Sequence, residues 1–225
     1  MNDVLSGFRL IQPKLKVALG LHLLLVLCSI STSVTAKLPA ECGTLANHYG
    51  PYNYANPDHR LKKLSVVEKA HFTRNVEQLV RGESGTIEGD LDYTLRAFPN
   101  HHRALAAISN LGRDNKRTNS DYKTGYFSVE CYFARAIAHI PSDPVVYLLY
   151  GIYNDRLGLS DKAAKNYLKS IDLSDRSAGA HYNVALLYFK LGQFEESLTH
   201  AKKAYQQGHP LPGLKRKLKK SGHWK

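Results

Sequence analysis

Two carboxylates and two imidazoles fall within thirteen residues of the chain: Asp90, Asp92, His101 and His102. Side chains of these types can hold a divalent metal, or exchange protons as acid and base. Their spacing serves neither purpose well. His101 and His102 are adjacent, and so point in different directions in any regular structure. Asp90 and Asp92 are two apart, so on a helix they diverge by about 200°. Asp90 is placed to cap a helix start, and Asn100 to close a turn after Pro99. Caps and hydrogen bonds between helices are the first expectation for this cluster. A metal-dependent or hydrolytic enzyme centred on the four residues is the alternative.

The wider sequence lacks the patterns that would strengthen that alternative. There is no Gly-x-Ser-x-Gly elbow, no His-Glu-x-x-His and no phosphate-cradling loop. Gly82, Gly85 and Gly89 have neither a preceding apolar strand nor the lysine that phosphate chemistry needs. No catalytic residue, metal or cofactor is therefore expected.

The 225 residues carry a net charge of +12, unevenly distributed. After Glu196 there is no acidic residue, whereas Lys202, Lys203, Lys215, Arg216, Lys217, Lys219, Lys220 and Lys225 all follow. A tail of this kind suits acidic lipid head groups, an acidic partner or solvent. The other end reads as an export signal over residues 1–36. Arg9, Lys14 and Lys16 precede an apolar run from Val17 to Leu27, and Val34 and Ala36 offer the small side chains a signal peptidase accepts. Lys37 is then the expected mature start. A membrane anchor over residues 17–30 is the alternative, although a spanning helix wants about 20 apolar residues. Export makes nucleic acid an unexpected partner and a bacterial periplasm the expected compartment. It also leaves Cys42 and Cys131, an even pair that suggests one disulfide, with two separate buried thiols as the alternative. Cysteines so far apart do not make a zinc-site spacing.

Helices carry these residues. Residues 37–86 begin irregularly, since Cys42-Gly43, Tyr49-Gly-Pro-Tyr52 and Asn56-Pro57 interrupt any long helix. Leu61 to Arg81 turns helical in two pieces, with Thr73 as a candidate cap, and Gly82 to Gly85 breaks the run. Ile87 to Phe98 forms a further helix ended by Pro99. Pro144 to Asp175 then repeats 34 residues later as Ala178 to His209. Gly151, Ala163 and Ser170 return as Ala185, Ser197 and Ala204, and the turn glycine Gly158 returns as Gly192.

That period, with small residues where helices approach and glycine where the chain turns, resembles the tetratricopeptide repeat. The resemblance implies an all-α, right-handed α-α superhelix of about three helix pairs over residues 87–209. The units are 144–177, 178–211 and an interrupted unit over 102–143, lengthened by the charged stretch from Gly112 to Gly125. It implies too that Tyr147, Tyr150, Tyr167, Tyr188 and Phe194 pack between helices. Residues 210–225 become a basic cap in which Leu211, Leu214 and Leu218 share one face and Lys215, Arg216, Lys217, Lys219 and Lys220 form an electrostatic tail.

In this family the first helix of each unit lines a concave groove. The matching positions are Leu148, Ile152, Asp155 and Arg156 in one unit and Tyr182, Asn183, Leu186, Phe189 and Lys190 in the next. Arg103, Ala106, Asn110 and Arg113 align with them in the interrupted unit. The polar clamp that some members use for a peptide carboxyl terminus is replaced by Leu148, Ile152 and Leu186. The resemblance thus implies a non-enzymatic scaffold or adaptor for envelope or secretion assembly, gripping a polypeptide by hydrophobic anchors. The alternative occupant is the chain's own Tyr49 to Tyr54 segment.

Overall fold

Caps and breakers in the sequence set where the helices begin and end. The computed structural model describes residues 38–114 and 126–225. The expected export signal and its membrane-anchor alternative lie outside the described residues. A 3-10 turn at Ala40–Cys42 is followed by α1 (Pro57–His59), a π-helical turn (Arg60–Leu64) and α2 (Ser65–His71). The Asn56 side chain accepts the N–H groups of Asp58 and His59, and Pro57 takes the first helical position. That cap starts the helical run four residues ahead of the expected Leu61. One further turn, α3 (Arg74–Glu77), begins at Thr73, whose hydroxyl donates to Glu83 and caps nothing.

The longer helices follow: α4 (Ile87–Ala97), α5 (His102–Asp114), α6 (Val129–His139), α7 (Pro144–Arg156) and α8 (Ser160–Leu173). Then come α9 (Ala178–Lys190), α10 (Phe194–Gln206) and α11 (Gly213–Lys220). Thr86, Ser128, Asp143 and Ser177 each cap a helix by accepting a first-turn N–H. The fold is all-α, with no strand among the described residues and with sequence-adjacent helices packed in pairs. No helix among the described residues is long and apolar enough to cross a membrane.

Recurring junctions carry the pairing along the chain. Phe98, Ile140 and Ser174 end α4, α6 and α8 with similar backbone angles, φ/ψ −132/84°, −134/82° and −156/95°. Gly158 and Gly192 turn the chain inside the last two pairs at φ +76° and +77°, where a side chain would be strained.

Packing within those pairs explains the recurring small residues. A Cβ on Gly151 would sit 2.5 Å from the Tyr167 ring, so only glycine lets α7 approach that ring. In the next pair Ala185 and Ala201, at the corresponding positions, are both fully buried in one cluster. Ser170 and Ser197 hydroxyls each donate to a facing helix carbonyl, Pro144 and Ala185, at 2.8 Å. The chain closes with α11, whose Leu214 and Leu218 are fully buried against Tyr182, Ala185, Ala201 and Ala204. Such burial contributes about 2 kcal/mol per leucine. Leu211, expected on the same face, lies in the preceding turn and is exposed.

The amino-terminal segment is held differently. Cys42 and Cys131 form a disulfide across 89 residues of sequence. Arg135, itself fully buried, donates through Nη1 to the carbonyls of Cys42 and Thr44, and its guanidinium lies 4.7 Å over the Phe127 ring. Burial holds that guanidinium below its usual pKa. Tyr49, Tyr52 and Tyr54 pack on Leu64, Val67, Ala97 and Phe98. Backbone N–H groups fix this register, Tyr52 donating to the Ala97 carbonyl and Tyr54 to the Asn100 side chain, both at 2.8 Å.

Candidate functional site

Asp155 and Arg156 at the end of α7, and Leu186, Phe189 and Lys190 on α9, line one open concavity of about 530 Å³. Lys217 of α11 completes it. Spacing on α9 accounts for the floor, because residues three and four apart share a helix face. Leu186 and Phe189 are half-buried there, and Phe189 is braced edge-on by Phe194 at 5.4 Å. The rim is cationic. Lys190 pairs with Asp155 at 3.5 Å, while Arg156 donates to the neutral Asn110 amide oxygen of α5 at 2.6 Å. Lys217 hangs 5.9 Å over the Phe189 ring. Asp155 is the carboxylate of this lining, and its charge is already taken up by Lys190.

The other expected groove positions are used elsewhere. Leu148 and Ile152 are half-buried in the cluster of Ala163, Tyr167, Val184 and Leu187. Leu148 comes within 3.5 Å of where a Gly179 Cβ would be, so α7 and α9 approach closely at that level. Tyr182 is buried beneath the cap, stacked on His209 at 3.8 Å between ring centroids. The Asn183 amide turns back to the Gly179 carbonyl of its own helix. Arg103 pairs with Glu68 and Glu77 beside α3, which drives its pKa up through the Glu77 hydrogen bond first. The Arg113 side chain lies outside the described residues. The aromatic segment Tyr49 to Tyr54 packs against α2 and α4 and leaves the concavity open. Lys217 was legible as a basic tail residue, but not as a groove residue. The signal lay in Leu214 and Leu218: once these anchor α11 on α9, Lys217 must flank them.

Asp90, Asp92, His101 and His102 are each taken by a separate set of partners. Asp90 bonds His71 Nδ1 at 2.8 Å and accepts the backbone N–H groups of Glu83 and Ser84 at 2.6 and 3.1 Å. It therefore folds the 82–85 loop over the helix start, whereas Thr86 is the cap. Asp92 accepts from Arg96 Nε and Tyr132 Oη, both at 2.7 Å. Burial, reinforced by the Asp92 charge, pushes the Tyr132 hydroxyl far up. His101 is fully buried with Nε2 3.2 Å from Glu68. Burial holds its imidazole below the usual value despite that contact, and the His101 hydrogen bond holds Glu68 below its own. His102 Nε2 meets Asp143 Oδ2 at 2.8 Å, and the fully buried Asn100 donates to the same oxygen at 2.7 Å. Burial alone would raise the Asp143 carboxyl, but these hydrogen bonds outweigh it and lower the pKa. The arrangement joins α4, α5, α6 and the start of α7. Among the described residues no three His, Cys, Asp or Glu side chains are grouped to hold a metal.

One further polar pair joins α9 and α10 without any signal in the residue spacing. His181 of α9 and His200 of α10 face each other with Nδ1 atoms 2.9 Å apart, so one donates and the other accepts. His181 Nε2 lies 3.2 Å from the Asp175 carbonyl, and Asp175 also pairs with Lys203 at 3.4 Å. Burial first, then the neighbouring His181 and Lys203, lower the His200 pKa.

Compared with known proteins, the chain matches no protein-family model and no curated sequence.

Proposed function

We propose that this chain is a non-enzymatic adaptor of tetratricopeptide type, exported to a bacterial periplasm, that holds a polypeptide segment of an envelope or secretion assembly. One observation carries the reading. Five positions expected to line a groove, Asp155, Arg156, Leu186, Phe189 and Lys190, line a single open concavity together with Lys217. Its apolar floor can bury an aliphatic or aromatic side chain, and its cations can meet a carboxylate on the same segment. The separate engagement of Asp90, Asp92, His101 and His102 supports a structural use of those residues over the enzymatic alternative.

A photo-crosslinking side chain placed at Phe189 in intact cells is expected to give a discrete protein adduct, and the same group at the exposed Leu168 of α8 is expected to give none. Leu186→Ala should then reduce adduct formation about tenfold or more, as removal of a buried anchor does, with helicity unchanged by circular dichroism. Equal adducts at both sites would overturn the groove reading.

A further inference from the structure

The outer face of α11 has a composition that the groove does not explain. Its eight residues include Lys215, Arg216, Lys217, Lys219 and Lys220 and no carboxylate. At about 100° per residue, Arg216, Lys219 and Lys220 fall within an arc of about 100°, diametrically opposite Leu214 and Leu218. The leucines are fully buried, and all three cations are exposed. The flanking lysines turn to the sides, Lys215 over the Trp224 ring at 5.1 Å and Lys217 over Phe189 at 5.9 Å. The three outward cations thus form a convex strip on α11, a helix that carries no carboxylate of its own.

We propose that this strip is an adhesion surface for an anionic phospholipid bilayer. A convex, evenly cationic helix face offers no recess or apolar floor to grip a polypeptide, whereas a plane of phosphate groups can meet all three charges at once. The leucines are committed to the core, so contact is electrostatic and peripheral, without insertion of α11 among acyl chains. Lys217 and the groove take no part, so this proposal stands or falls separately from the groove reading.

The test is co-sedimentation of the full chain with vesicles of mixed phosphatidylglycerol and phosphatidylcholine, against phosphatidylcholine alone. The neutral vesicles report any binding that does not depend on charge, and the strip variant reports what other cations of the chain contribute. Each cation near an anionic surface is worth about fivefold in partitioning, so Arg216→Gln/Lys219→Gln/Lys220→Gln should lose about a hundredfold of the anionic excess. Lys162→Gln/Lys165→Gln/Lys169→Gln, on α8, should keep it. The excess should also fade as ionic strength rises from about 0.05 to 0.5 M. Emission from Trp224, the single tryptophan, should keep its wavelength on binding. Equal partitioning of the α11 variant and the parent chain would overturn the proposal. So would salt-resistant binding with a blue-shifted Trp224, which signals insertion. Tighter strip-dependent binding to polyglutamate than to vesicles would replace lipid with an acidic polypeptide.

Discussion

The chain up to α6 and the chain from α7 onward reach helix packing by different routes. In the later region, α7 to α10 are helices of similar length, turned at Gly158 and Gly192 and packed through small residues a few positions apart in each pair. In the earlier region α1 to α3 are short, and the links are long-range. A disulfide spans 89 residues, Arg135 bonds carbonyls about ninety positions away, and Tyr132 reaches Asp92 across 40. Regular helix pairs need only neighbours. Between residues 38 and 56 only Cys42 is buried, so this irregular lead-in needs covalent and polar ties to offset the entropy of ordering it.

The sharpest way to break this contrast is to remove the disulfide. Cys42→Ala/Cys131→Ala should cost about 4–5 kcal/mol by loop entropy, the largest single effect expected. Hydrogen exchange should accelerate from residue 38 through α4, while α8 to α10 retain protection. Uniform acceleration throughout would show one cooperative unit and erase the distinction.

The converse perturbation is Gly151→Ala. Its Cβ would meet the Tyr167 ring at 2.5 Å, so a loss of about 2–3 kcal/mol by chemical denaturation is expected, centred on α7 and α8. Adding Tyr167→Ala reproduces the pairing of Ala185 with Ala201 and should show a coupling of about 1–3 kcal/mol. Strict additivity would mean that the two helices do not meet through this contact.

Acid should weaken both regions, by a smaller amount. Burial lowers the pKa of His101 and His139 in the first region and of His200 and His209 in the second, from an ordinary 6.5. Between the folded and unfolded values the unfolded chain binds more protons. Stability is therefore full above about pH 6.5, falls as pH drops below it, and levels off below the folded values. The lowered Glu68 adds a further loss in the same direction below 4.5. The thermal midpoint should fall by several degrees between pH 7 and 5, and His200→Asn should reduce that fall. A midpoint that rises on acidification would contradict the lowering of these imidazole pKa values by burial.

The repeated helix pairs were legible because their determinants are local. Gly158 and Gly192 turn the chain, and Gly151, Ala163, Ala185 and Ser197 recur at the period of the unit. Cys42 and Cys131 were legible as a pair only under the expectation that Cys28 belongs to an export signal, and the disulfide joins those two. The α9 side of the concavity follows from local pattern too: spacing on α9 puts Leu186, Phe189 and Lys190 together whatever the rest of the chain does.

Local residue pattern thus accounts for an all-helical chain whose neighbouring helices pair, for the turns at Gly158 and Gly192, and for which cysteines can meet. Contacts between distant elements settle which helix faces stay open. They put α9 against Leu148, lay α11 over Tyr182, bring Lys217 to the groove, and divide Asp90, Asp92, His101 and His102 among His71, Tyr132, Glu68 and Asp143. The physical reason is range. A helix face follows from side chains three and four positions apart, but its exposure depends on what a distant segment places over it, and that is set by packing between elements.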